Sequence, residues 1–187
     1  MALGLNDVDV DGMKEMDRKI RENPALGRRT VKLRSTWRRG AKALVEIGAQ
    51  EAMGKPATPP TRRFFITLDA PPGLGGVDAA ATAAETLVAS FAGCLTSGIA
   101  ANAALFDVPI DGLSVEMEAD IDFRGLLGHD KSVRNGFTDI RYTVTIESPA
   151  PEEKVRRCKE TIDRKSPVGD TLANPVKITS TFVHKRS

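Results

Sequence analysis

The chain has 187 residues, with 27 Lys and Arg set against 25 Asp and Glu. That length is enough to bury its own core, and a net charge of +2 gives no general electrostatic attraction to a polyanion. Two cysteines make no disulfide framework and fit a reducing, cytoplasmic setting, and the acid-bearing N-terminus lacks the apolar stretch of a secretion signal.

Residues 8–22 predict an amphipathic helix capped by Asp11 and stopped at Asn23-Pro24, inside an N-terminal helical arm spanning residues 1–25 of a single domain. Val31, Leu33, Ser35 and Trp37 alternate with Lys32, Arg34 and Thr36, the period of a strand. Arg39-Gly40 marks a turn into a short strand at 42–47, and GKPATPPT a loop before a third at 63–68. The prolines and glycines of APPGLGGVD exclude ladder and helix alike.

A long helix is predicted next, from about 79 to 106, with no charge between Thr86 and Phe106. It is long enough for a bilayer. Its Ala, Gly, Ser, Thr and Asn content and the absence of a flanking Lys/Arg cluster instead predict a soluble helix buried on nearly every side, whose small residues let other backbones approach. Two alternating strands follow, 113–123 and 140–147, joined by a polar loop. A charged helix at 151–164, a Ser-Pro turn and a last strand at 176–184 complete the chain. Strands and helices do not alternate singly, so the fold class is α+β with antiparallel sheets.

Most site chemistries are absent. His129 and His184 show no ligand spacing with each other or with a cysteine, so no metal site is expected, and no cofactor fingerprint occurs; GLGG at 73–76 reads as a turn. The basic run from Arg28 to Lys42 falls largely on the polar face of one strand, so no nucleic-acid partner is expected. What remains is Cys94, among small residues on the central helix, with Glu85 the sole charge preceding it there. A buried carboxylate needs a partner, and Arg38 or Arg39 is the expected one, from the same or the other subunit.

The run Glu85-Thr-Leu-Val-Ala-Ser-Phe-Ala-Gly-Cys94-Leu-Thr resembles the central helix of OsmC-like proteins of the organic-hydroperoxide-resistance superfamily. Ser166-Pro-Val-Gly-Asp170-Thr-Leu and Asn174-Pro-Val resemble the family's second block, and LGGVD and the VDVDGMKEM opening are similar to longer members. The resemblance implies an intertwined homodimer, with sheets wrapped around long buried central helices and active sites at the subunit interface. In peroxidase members a thiolate cysteine attacks an organic hydroperoxide, an arginine and a glutamate activate it, and a second cysteine resolves the sulfenate. The roles so implied fall on Cys94 as nucleophile, Arg39 as stabiliser, with Arg38 and Lys42 as alternates, and Glu85 as orienter of the arginine.

Two departures stand out. The resolving position is Ser166, so an external thiol reductant is implied, and the arginine motif Trp37-Arg38-Arg39-Gly40 is similar without being superimposable. Cys158, eight residues before Ser166, is expected to be structural. Independently of the resemblance, Glu85 and Cys94 are nine residues apart, half a turn around a straight helix and about 13 Å along it. They do not touch on one straight helix, so either the helix breaks between them or Glu85 serves a site completed by the partner subunit; both fit an interfacial site and support a dimer. Leu87 and Phe91 share the Cys94 face and predict an apolar pocket; with Ser166 they are the expected substrate contacts. The leading expectation is reduction of organic hydroperoxides by one cysteine. Its alternatives are a non-catalytic protein binding a small apolar ligand, and a structural dimer in which Cys94 is packing.

Overall fold

In a computed structural model describing residues 3–186, the chain is α+β. The arm forms helix α1 (Val10–Glu22), capped by Asp9 rather than Asp11, because the Asp9 carboxylate accepts the Gly12 amide at 2.9 Å. Ahead of it, the Asn6 side chain donates to the Val108 carbonyl and accepts from the Ile110 amide, both at 3.0 Å, and so ties the arm to the turn after the central helix.

Strands β1 (Arg29–Trp37), β2 (Ala43–Ala52), β3 (Lys55–Pro56) and β4 (Phe64–Leu68) form one antiparallel sheet, with β2 between β1 and β4. β2 runs five residues beyond the expected end. It turns back through Met53-Gly54, both at positive φ, a two-residue hairpin linking Ala52 to its partner Lys55. The register sets Leu33, Ile47 and Phe64 in one row, Ser35, Val45 and Ile66 in the next, and Trp37, Ala43 and Leu68 in a third. Between them lie Arg34, Thr36, Glu46 and Thr67 but also Leu44 and Phe65, so the face carrying these rows is almost wholly apolar and the other is mixed.

Helix α2 (Ala83–Leu105) is the central helix. It packs on the hairpin β5 (Gly112–Ile121) and β6 (Phe137–Glu147) and on helix α4 (Glu152–Lys165), with the one-turn helix α3 (Phe123–Leu126) in the β5–β6 connection. Leu95, Ile99, Ala103, Val108, Cys158 and Ile162 form the buried core, with Leu113, Val115, Met117, Tyr142 and Val144 closing it from the hairpin. The α2–α4 contact is close because Gly98 has no side chain: a Cβ there would stand 2.3 Å from Ile162 Cδ1.

Several expectations change. Phe123 leaves its strand for α3, because Asp122 caps that turn by accepting from the Arg124 amide. The Ser-Pro turn is a true helix, α5 (Pro167–Ala173), with Ser166 as cap and Pro167 in its first turn, where a missing N–H costs nothing. Residues 176–184 pair with nothing among the described residues, and Ile178 and Phe182 are exposed. Burial of α2 is confined to one face, through Leu95, Ile99, Ala103 and Ala104. The first sheet packs against neither α2 nor the β5–β6 hairpin to any substantial extent, and its apolar face stays open, with Leu33 62% and Trp37 71% exposed.

Candidate functional site

Helix α2 begins with a reciprocal cap. The Thr82 hydroxyl accepts from the Glu85 amide at 3.1 Å, and Glu85 Oε2 accepts from the Thr82 amide at 2.7 Å. That amide, with the Thr82 side chain, holds the Glu85 carboxyl below its ordinary value. Further along, the hydroxyls of Thr86, Ser90, Thr96 and Ser97 each donate to the carbonyl four residues earlier, at 2.7–3.0 Å. These groups satisfy themselves inside the helix, so its surface is less polar than its composition.

Cys94 instead reaches out of the helix. Its sulfur lies 3.2 Å from the Ser166 hydroxyl, which is brought in from the joint between α4 and α5. Ser166 is 3% exposed, and its oxygen also accepts from the Gly169 amide at 3.0 Å. With one lone pair used by that amide, the hydroxyl proton is free to point at sulfur. Gly169 fits the same packing closely: a Cβ there would lie 3.0 Å from the Phe91 ring and 3.3 Å from Ser166, tight enough that the neighbours would have to give.

Phe91, one turn before Cys94, meets Tyr142 edge-on with ring centroids 5.6 Å apart. The Tyr142 hydroxyl donates to Asp163 on α4 at 3.0 Å, which fixes the ring, and burial with that carboxylate pushes the phenol's pKa up. A cavity of about 420 Å³ lies between α2, β6 and α5, walled by Leu87, Phe91, Phe137, Ile140 and Leu172, with Arg134 and Asp139 also in its wall. Leu87 and Phe91 line this cavity and Ser166 adjoins it; Arg134, which sequence reasoning missed, comes from the polar β5–β6 connection.

The chain does not gather all the expected residues. Arg39 and Lys42 lie with Gly40, Asp69 and Gly76 around a separate hollow of about 190 Å³ at the edge of the first sheet. Asp69 is buried; one of its oxygens accepts from the Val77 and Ala79 amides at 3.4 and 3.0 Å, while Oδ1 has no partner. The Ala79 amide foremost holds this carboxyl below its ordinary value. Glu85 is exposed and forms no ion pair among the described residues; the cation expected beside it is not supplied within one chain. It stands at a second cavity, with Val88, Ala92, Met117 and Phe137.

Cys158 is 1% exposed, its thiol donates to the Lys154 carbonyl at 3.2 Å, and desolvation pushes its pKa up. It faces the core with Leu95 and Ile99. Among the described residues no cluster of His, Cys, Asp and Glu is placed to hold a metal ion.

The family described as OsmC-like protein matches residues 76–181 of the chain. Among curated proteins, none matches the sequence significantly. Solved structures share the fold. An OsmC-like protein from Mycoplasma pneumoniae has a TM-score of 0.57 at 14% identity, over 78% of this chain and 89% of that one. A candidate osmotic-stress-induced and detoxification-response protein from Psychrobacter arcticus gives 0.55 at 14% identity, over 76% and 88%. An OsmC-like protein of unknown function from Vibrio cholerae gives 0.51 at 11% identity, over 76% and 92%.

Proposed function

Because the chain belongs to the OsmC-like family, we propose that it is a thiol-dependent reductase of organic hydroperoxides that works through Cys94 alone. The observation that carries this reading is the Cys94 sulfur 3.2 Å from the buried Ser166 hydroxyl, one helical turn from Phe91 in the wall of a largely apolar-sided cavity. The Cys94 thiolate attacks the outer peroxide oxygen. The O–O bond breaks, sulfur gives up two electrons, and the departing alkoxide gains the proton that the thiol lost on ionising. Cys94 becomes a sulfenic acid and the product is an alcohol.

Resolution falls to an external thiol. It condenses with the sulfenic acid, expelling water and leaving a mixed disulfide; a second thiol then frees Cys94 and leaves with the reductant's disulfide. Ser166 holds the attacking sulfur and donates toward its charge. Arg39, carried by the second subunit of a homodimer, is the cation for thiolate and peroxide, and Glu85, with Oε1 unoccupied within the chain, orients it. The open apolar face of the first sheet supports the dimer.

The test is turnover of cumene hydroperoxide with a dithiol reductant. Cys94→Ser is expected to abolish it and Cys158→Ser to leave it within about twofold, while Ser166→Ala costs about tenfold in kcat/KM, the worth of one hydrogen bond to a charged group. Turnover that survives Cys94→Ser contradicts the assignment. The absence of a cysteine at position 166 favours one second reading, a non-catalytic protein that binds an apolar ligand in the same cavity. Saturable binding of cumyl alcohol without any turnover would establish it.

A further inference from the structure

The hollow at the edge of the first sheet is walled in part by Asp69, whose Oδ1 is the one side-chain oxygen or nitrogen buried without a partner among the described residues. Asp69 follows the last ladder pair, Ala43 with Leu68, so Lys42 stands across from it where the next pair would fall. The other carboxylate oxygen accepts from the Val77 and Ala79 amides, and the Asp69 amide donates to the Ala81 carbonyl at 3.3 Å. These bonds close the glycine loop onto the sheet, so tightly that a Cβ on Gly76 would stand 1.8 Å from the Ala70 carbonyl oxygen.

An asparagine would accept the same two amides without the cost of burying a charge. The carboxylate therefore answers a demand that the loop alone does not make. Arg39 and Lys42 are the two cations in the walls of the hollow, and Asp69 is the one carboxylate. The two cations are placed differently: Lys42 is half-buried and Arg39 is exposed. The turn that carries them is well braced. The Arg38 amide donates to the Lys42 carbonyl at 2.9 Å, the Lys42 amide to the Arg39 carbonyl at 3.0 Å and the Trp37 indole to the Gly40 carbonyl at 2.8 Å. Gly40 turns the chain at a φ of +58°, which glycine adopts without strain. The Ala79 amide foremost holds the Asp69 carboxyl below its ordinary value, and the Lys42 charge adds to this. Two opposite charges at a half-enclosed edge attract more strongly than the same pair in open water.

We propose that Asp69 is a positioning residue: it keeps the Lys42 side chain on the hollow side of the turn and leaves Arg39 the one cation of that turn free to reach across to a second subunit. This rests on the reading of Arg39 as the cation that serves Cys94 in a homodimer. One arm of the experiment therefore reads turnover, and the other reads the pairing of Asp69 with Lys42 directly.

Asp69→Asn keeps an acceptor for the two loop amides and removes only the charge. It is expected to unfold at nearly the temperature of the unaltered protein and to lose about tenfold in kcat/KM for cumene hydroperoxide. Lys42→Met is expected to lose as much, the double variant no more than either alone, and neither change to cost anything further in an Arg39→Ala background. Should Asp69→Asn not fold, Lys42→Met carries the same test. Turnover unaltered in these variants, losses that multiply in the double variant, or a loss that persists in Arg39→Ala overturns the proposal. In the second arm a succinimidyl acetate labels lysines at neutral pH, and mass spectrometry follows Lys42 with the exposed Lys55 as reference. Labelling of Lys42 is expected to be severalfold faster in Asp69→Asn, with Lys55 unchanged; equal rates at Lys42 overturn the proposal. If the unaltered protein turns over no hydroperoxide, the reading of Cys94 fails, and the labelling alone upholds or overturns the hold of Asp69 on Lys42.

Discussion

The Ser166 hydroxyl occupies the position beside Cys94 that the family resemblance assigns to a resolving cysteine, with 3.2 Å between oxygen and sulfur. Ser166→Cys is therefore expected to change the outcome of oxidation. One equivalent of organic hydroperoxide should join Cys94 to the introduced thiol as a disulfide, seen by mass spectrometry as a loss of two hydrogens. A persistent single-oxygen adduct in the variant would show that the two side chains do not approach as the fold implies. Cys94 and Ser166 were legible because each sits in a distinctive run of residues. Arg134 was not, since it lies in a polar connection without periodicity and reaches the cavity only because Gly125 lets the loop fold back. Glu85 was legible as a charge, and Thr82-x-x-Glu85 is in addition a capping pair within the chain, a signal the sequence carries alongside the demand that a carboxylate on an apolar helix find a cation.

At the level of elements, the small residues of α2 were read correctly as sites of close approach, and Gly98 is where this is tightest. Gly98→Val pushes against Ile162, which is buried and β-branched and has little room to move. A loss of about 1–3 kcal/mol in unfolding free energy is expected by denaturant titration, with a smaller loss in an Ile162→Ala background. Equal costs in both backgrounds would mean that the strain lies elsewhere. Strand and helix periods located nearly every element. The errors fell where a partner or a cap decides: Ser166-Pro167 starts a helix rather than a turn, and residues 176–184 alternate like a strand yet find no ladder among the described residues.

Across the whole molecule, one chain leaves unfinished what its sequence encodes. Three apolar rows on the first sheet, from Leu33-Ile47-Phe64 to Trp37-Ala43-Leu68, are largely open among the described residues, with Leu33, Trp37 and Phe64 exposed. Most of α2 is uncovered as well, although the helix carries almost no charge. Apolar surface of this extent marks an interaction site, and under the proposed mechanism its occupant is a second copy that brings Arg39 toward Glu85. Light scattering is expected to give two chains per particle at micromolar concentration, and Leu33→Glu with Trp37→Glu to break the dimer and lose turnover together. A stable folded monomer of the unaltered chain would contradict this.

The account as a whole depends on Cys94 being the thiol that reacts, without help from a second cysteine. Cys158 is buried, donates to the Lys154 carbonyl and faces the core, which under the proposed mechanism leaves a sulfenic acid at Cys94 to an external thiol. The most direct measurement is mass spectrometry of the native protein after one equivalent of organic hydroperoxide and no reductant. The expected result is a gain of one oxygen at Cys94, trapped by dimedone and climbing to sulfinic acid as peroxide is raised. A loss of two hydrogens with a Cys94–Cys158 crosslink, or no change at Cys94 at all, would contradict the account.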